Sequence, residues 1–333
     1  MLEKIKKKIL ISIAAAGLVY LAFTIYADFN DVAGAFRTFN WFLLPLLLAL
    51  SFTNYIFRFI KWDYYLRLLS VPIKKMDSFF IFMSGLIMSV TPGKFGEVLK
   101  SYLVKQISGT SISKTAPIIF VERITDFVSL ILIAVVGAFS FDYGKVAVIG
   151  VGIFFLFLLI ILSNKNIALP IISLFEKINF LKKHISNIHN AYESSYIMLQ
   201  PKPLFYMTIV SLGSWFFECL GYFLILNSFN LEVSILWSSF SYAFATIIGA
   251  ISMLPGGLGV TEGSLTFLLV EKGAANEVAV ASTFIIRAVT LWFAVLVGVI
   301  SVTLYQRRFG KIILETIQET NLGEMTNEKI QKN

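Results

Sequence analysis

The chain has 333 residues, of which 57% are apolar and only 14% charged, with a mean hydropathy of +0.79. Soluble domains average about 45–50% apolar and about 25% charged, so a soluble fold would leave too much apolar surface in water, and an integral membrane protein remains. The net charge of +8 does not mark a nucleic-acid binder: 21 of the 28 Lys and Arg fall in five clusters, at 1–8, 61–77, 100–114, 164–202 and 306–333, as the positive-inside rule distributes them around spans.

Crossing a hydrocarbon core of ~30 Å takes about 20 apolar residues. The first such run, 9–26, follows MLEKIKKK; it is longer than a signal-peptide core and shows no A-x-A site, so it is predicted to be an uncleaved span. The second is 41–60, whose end, FRFIKW, places Arg58 and Trp62 as expected anchors at the cytoplasmic interface. An apolar but interrupted region, 78–108, comes next. Two further runs follow, 115–139 and 146–163. Residues 164–202 form the one long loop. In it Ile171, Leu174, Phe175, Ile178, Leu181, Ile185, Ile188 and Tyr192 recur at helical spacing, with Lys177, Lys182 and Lys183 interleaved. That pattern suits a helix lying on the cytoplasmic membrane surface and equally a helix packed on the rest of the protein. Then come the run 203–229, a second interrupted region at 235–272, the run 279–305, and a polar tail at 311–333. If each interrupted region enters and leaves on one side, all five basic clusters share the side of the N-terminus. Only Arg37, Lys145 and Lys272 then lie opposite, and both termini are cytoplasmic in a cytoplasmic-membrane protein. Cys219 is the sole cysteine and excludes an internal disulfide. His184 and His189, five apart, share no helical face and suggest interfacial polarity rather than a metal site; no metal or other cofactor is expected.

The two interruptions are alike. VTPGKFGE at 90–97 and LPGGLGVTEG at 254–263 both contain P-G-x-x-G followed by a carboxylate. Pro92 and Pro255 are 163 apart, while Gly85 and Gly249, and Arg123 and Arg287, are 164 apart. Gly109 and Gly273 offer a helix stop after each. The chain is therefore read as two repeats, about 41–139 and 203–305, within one membrane domain over 1–310. The Arg287-bearing span is the third crossing after the Arg123-bearing one, and an odd number inverts the halves. The predicted fold is an all-α polytopic membrane protein with two inverted repeats, about six full spans and two re-entrant half-helix regions. Pieces of about 12 residues after each break reach about 18 Å, roughly half the membrane. Each half-helix would open with free N–H groups and its positive dipole end, an anion site, beside a cavity between the two loops.

Nine charges fall in or at the edges of membrane segments: Arg58, Lys94, Arg123 and Arg287 against Glu97, Glu122, Asp126, Glu218 and Glu262. Unpaired at helix centres they would cost roughly 27 kcal/mol, more than a whole fold supplies, so they must be paired, hydrated or near the surface. Snorkelling offers an escape for Arg58 and Glu122. In ERITD, Glu122 and Asp126 share one helical face and Arg123 turns about 100° away. Arg287, in IIRAVTLW, has no carboxylate within nine residues, so its partner is another segment or a ligand, for which a lipid phosphate fits a guanidinium. The structural alternative is a pair of buried cross-half ion pairs, Arg123–Glu262 and Arg287–Glu97. Glu218, in WFFECLGY, is either a protonated carboxyl or part of a proton-coupling path.

The set PGKFGE (92–97), ERITD (122–126), LPGGLGVTEG (254–263) and Arg287 resembles the transmembrane domain of the lysylphosphatidylglycerol synthetase/flippase family, which includes the membrane half of the multiple peptide resistance factor. The resemblance covers about residues 5–310. It implies a lipid flippase module with inverted repeats and polar loops meeting in the membrane. Lys94 stands where the family commonly has Arg, and no aminoacyltransferase domain accompanies the spans, so synthetase activity is not expected and the lipid is either a phospholipid or a polyprenyl-phosphate-linked sugar.

The expectation is a transporter, not an enzyme, that binds an anionic head group between the P-G loops. Arg123, Arg287, Glu97, Glu262, Lys94 and the backbone at Gly93, Gly96, Gly256, Gly257 and Gly259 would form the substrate site. Glu122, Asp126, Glu218 and Arg58 would have structural or coupling roles. No nucleic acid is an expected partner; a homo-oligomer is an open outcome. A membrane-embedded transferase acting on lipid-linked substrates is the alternative, but the chain has no D-x-D and no metal-spaced His/Cys cluster. An inert scaffold would leave the duplicated loops unexplained.

Overall fold

A computed structural model describes residues 14, 17–141, 145–176 and 185–310, and every described element is helical. Helix α1 (Gly17–Tyr26) is followed by α2 (Phe29–Thr38), which Asp28 caps by accepting from the Asn30 N–H at 2.9 Å. A 3-10 turn capped by Asn40 leads into α3 (Leu44–Leu68), with Pro45 in the first turn, where its missing N–H costs nothing. The first interrupted region is α4 (Lys75–Gly85), a 3-10 stretch to Val90, an extended Thr91, a second 3-10 stretch over Pro92–Val98, then α5 (Leu99–Ser108), stopped by Gly109 at φ 71°. Helix α6 (Ile112–Phe141) runs 30 residues. Helix α7 (Lys145–Ser163) bends by 84° into α8 (Lys165–Glu176), and α9 (Ile185–Met198) follows. After α10 (Pro201–Ser228) comes the second interrupted region: α11 (Ile235–Ile251), a break at 252–259, and α12 (Val260–Glu271), with Gly273 at φ 95°. Helices α13 (Asn276–Arg287) and α14 (Phe293–Phe309) join through a π turn, Ala288–Trp292, into one 34-residue span.

Among the described residues, three continuous helices are long and apolar enough to cross a membrane, Trp41–Leu68, Pro201–Ser228 and Asn276–Phe309, and the bent pair α7–α8 makes a fourth candidate. These match three expected spans and, at the bend, a fourth; the run 115–139 lies within α6. Of the first predicted span, 9–26, only Ala14 and residues 17–26 are described. Both interrupted regions are indeed broken, and both half-helices, at 10 and 12 residues, are as short as expected. The linker is two helices among the described residues, and 177–184, with Lys177, Ile178, Leu181, Lys182, Lys183 and His184, lies outside them, as does the tail from 311. Ala168, Ile172 and Tyr192 bury against Ile185 and Ile188, so α8 and α9 spend apolar surface on each other, while Ile167 and Ile171 stay exposed.

The ends of α3 and α10 repeat in detail. Ser70 and Asn230, 160 apart, both adopt positive φ (51° and 55°). Their flanks make the same bonds: Ser70 N–H to Arg67 O and Asn230 N–H to Asn227 O, Val71 N–H to Leu66 O and Leu231 N–H to Leu226 O. This is a left-handed helix stop with a six-to-one closing bond. The two helices also pack on each other through equivalent positions. Asn54 donates to Ser214 O at 2.8 Å, and the Phe57 and Phe217 rings lie 5.3 Å apart. Glycines set the closest approaches elsewhere: Gly298 of α14 lets the Leu86–Ile87 backbone after α4 come in, and Gly137 of α6 does the same for Phe240 of α11. Polarity is inside out, with Leu132, Val136, Phe154, Phe216 and Leu296 exposed while Lys61, Lys100, Glu97 and Glu122 are buried.

Candidate functional site

The first buried cluster gathers where α3, α5 and α6 meet the first break. Arg58 and Lys61 are three apart on α3 and therefore share a face. Glu97 ends the 3-10 stretch, Lys100 stands one turn later on α5, and Glu122, Arg123 and Asp126 come from α6. Lys100 Nζ lies 2.7 Å from Glu122 Oε2 and 3.2 Å from Glu97 Oε2. Lys61 Nζ lies 2.5 Å from Asp126 Oδ1 and donates to Thr125 Oγ1 and to Ser211 Oγ of α10. Arg123 Nη2 is 3.3 Å from Asp126 Oδ2 and 3.8 Å from Glu97 Oε2, and Arg58 Nη2 is 3.8 Å from Glu97 Oε1. The Lys100 ammonium also sits 4.6 Å from the Trp62 ring centre, a cation–π contact, and its stem passes where any side chain at Gly85 would overlap it.

Two features make this cluster more than a staple. Its described side chains carry four cations against three carboxylates. And the Arg123 side chain is 19% exposed, the most open of the set, although its Nε and Nη2 are buried and make no hydrogen bond. A partly open guanidinium at the rim of a positive cluster suits an oxyanion.

The second cluster is smaller and closed. Arg287 Nε donates to Glu262 Oε1 at 2.7 Å and Nη2 to Gly256 O at 2.5 Å. Glu262 Oε2 accepts from the Gly259 N–H at 2.8 Å, so this carboxylate caps its own helix three residues back. The turn needs glycines, with Gly256, Gly257 and Gly259 all at positive φ, as is Gly93 in the first break. Helix α1 covers the site: the Tyr20 ring packs at a tilt on Phe284, centroids 4.6 Å apart, and its hydroxyl accepts from Trp292 Nε1 at 2.8 Å, and Val19 lies over Gly259. The two breaks meet through Val90, Leu258, Leu291 and Val295, with Gly256 near Ser89 O. Nearby, Tyr242 donates to Glu218 at 2.7 Å, and Tyr55 donates to Thr290 O in the π turn.

Several expectations change. Arg58, Trp62 and Glu122 do not reach an interface: they are 9%, 0% and 1% exposed, because Glu97 and Lys100 compensate Arg58 and Glu122 inside. The cross-half pairs Arg123–Glu262 and Arg287–Glu97 do not form; each arginine meets the carboxylate of its own half, since each break folds back on its own following helix. Arg123 does not point away from Asp126, because residues three apart are also neighbours on a helix. The second half-helix start is not an open anion site, because Glu262 occupies it; at the first break Thr91 Oγ1 accepts from the Gly96 N–H. Among the described residues, the breaks touch through apolar side chains, Val90 and Leu258. The Lys94 side chain lies outside the described atoms.

Lys61 and Lys100 were missed as site residues, having been counted into cytoplasmic basic clusters. Their signals were present: Lys61 follows Arg58, and Lys100 follows Glu97, each by three residues on a helix, and the five membrane carboxylates outnumbered the four membrane cations.

UPF0104 membrane proteins of archaea are similar to this chain. One from Methanocaldococcus jannaschii is 29% identical over 72% of this chain and 98% of its own length. One from Methanothermobacter thermautotrophicus is 24% identical over 87% of this chain and 92% of its own length. The model of the lysylphosphatidylglycerol synthase TM region matches residues 8–298, so this membrane protein belongs to that family.

Proposed function

We propose that the protein carries a lipid with a phosphate-bearing head group between the leaflets of the cytoplasmic membrane, by alternating access of two inverted halves with both termini cytoplasmic. The observation that carries this reading is the Arg123 side chain, 19% exposed and the most open of a buried cluster with one cation in surplus. A phosphate oxyanion supplies the missing charge. The head group would enter at Arg123 while the lipid chains stay in the bilayer. A phospholipid and a polyprenyl-phosphate-linked sugar share this chemistry.

The 160-residue recurrence of the α3 and α10 ends, with equivalent positions touching at Asn54–Ser214 and Phe57–Phe217, supports a two-fold axis between these helices. The re-entrant reading of the broken helices rests on the same recurrence. The halves differ in state: the Arg123 cluster is partly open, and the Arg287 cluster is sealed by its own Glu262 and by α1. Unequal states of equivalent sites are what rocking between two access states requires. The transferase alternative gains less, because Glu97 and Glu262 are each held by cations and poorly placed to act as a base.

The test is native mass spectrometry with lipidomics of purified wild type, Arg123→Ala and Arg287→Ala, followed by a leaflet-exchange assay with any lipid retained. The expected result is selective retention of one anionic lipid class by the wild type, its loss in Arg123→Ala, and loss of exchange in both variants. Undiminished retention and exchange in Arg123→Ala would overturn the assignment.

A further inference from the structure

A cavity of about 540 Å³ opens between α3, α6, α10 and α11, in the size range of ligand pockets. Its walls are apolar side chains, Phe57, Ile133, Leu212 and Phe217 among them, and its polar contributors are Ser239 and Cys219. The mouth is framed by Leu132, Val136 and Phe216, which are 47%, 55% and 50% exposed on the outer flank. Residues 212–219 are the middle of the 28-residue span α10, and Leu236 and Ser239 stand at the start of α11, so the cavity lies along the apolar part of α10.

The sequence explains why the cavity exists on this flank. In the 160-residue register, Cys219 and Ser239 correspond to Phe59 and Phe79, and Gly213 to Thr53. The same two positions touch in both halves: the Phe59 and Phe79 rings are 5.1 Å apart, and Cys219 Sγ lies 4.0 Å from Ser239 O. Two aromatic rings fill the space in one half, and a thiol and a hydroxymethyl leave it open in the other.

We infer that this groove holds a hydrocarbon chain of a membrane lipid and is the flank along which the lipid tail is guided while its head group is handled inside. The occupant follows from chemistry and place: a wall that is apolar but for one hydroxyl and one thiol gives a polar ligand little to bond, and the exposed apolar residues at the mouth face hydrocarbon. The inference deepens the lipid-transport reading and rests on it for the role of the tail, but not for the binding.

The test is photo-crosslinking in nanodiscs with phosphatidylglycerol or phosphatidylcholine carrying a mid-chain diazirine, read by peptide mass spectrometry. Labelling of peptides holding 132–136 and 212–219 is expected to exceed that of the lipid-facing 296–300 flank by about fivefold or more, with either head group. The Cys219→Phe/Ser239→Phe variant, which restores the filling pair of the other half, should bring it down to that flank's level. Val136→Trp, a change at the exposed mouth, should do the same without touching the interior. Equal labelling of both flanks, labelling unchanged by both variants, or protein–protein crosslinks at the groove in place of lipid would overturn it. Undiminished selective lipid retention and exchange in Arg123→Ala with the groove label intact would overturn the transport reading alone.

Discussion

Lys100→Met tests the idea that the first cluster is held by mutual charge compensation. Lys100 is 1% exposed and stands between Glu97 and Glu122, at 3.2 and 2.7 Å. Without it Glu97 keeps two guanidinium groups at 3.8 Å, but Glu122 loses the cation on Oε2, while its Oε1 has no hydrogen-bond partner among the described residues. The methionine replaces most of the stem's packing on Trp62 and Phe82, so the loss is chiefly electrostatic. Breaking one side of a buried pair costs about 3–5 kcal/mol. Adding Glu122→Gln removes the orphaned charge and should recover about 2–3 kcal/mol of that. The chain has a convenient reporter: its single cysteine, Cys219, is 1% exposed, so a thiol-reactive fluorophore signals unfolding. At about 2 °C per kcal/mol for a chain of this size, Lys100→Met should unfold about 6–10 °C lower and the double variant should regain about half. A Lys100→Met protein as stable as wild type, or one that Glu122→Gln does not rescue, would refute the compensation.

Arg287→Gln should destabilise by about 3–5 kcal/mol, and Arg287→Gln/Glu262→Gln by markedly less, by the same fluorescence melt. Gly298→Ala and Gly137→Ala should each prevent stable folding, because the first methyl meets the Ile87 backbone and the second the Cβ of Phe240, which moves only with its helix, as expression and melting of the two will show. Gly249→Ala places a methyl against the Thr261 hydroxyl; Thr261→Ala removes that atom and should recover at least about 1 kcal/mol in the double variant. Tyr242→Phe takes the donor from Glu218 and should cost about 1–3 kcal/mol at neutral pH.

Composition and periodicity determined the membrane class, the long helices, the two breaks and their glycine stops, because each depends on local chemistry: hydropathy over about 20 residues, a proline without an N–H, a glycine at positive φ. The motif residues Glu97, Arg123, Glu262 and Arg287 were legible for the same reason, since a charge in an apolar run stands out wherever the chain folds. Only the tertiary structure decided the partners. Arg287 and Glu262 are 25 residues apart, Lys61 and Asp126 are 65 apart, and nothing local distinguishes their pairing from the cross-half pairing expected of equivalent loops. Lys61 and Lys100 sat near runs of surface lysines and shared their one-dimensional signature, yet packing of α3, α5 and α6 buried them. Pair choice and burial depend on the distances between helices, and a sequence records which groups need a counter-charge without recording which helix will bring it.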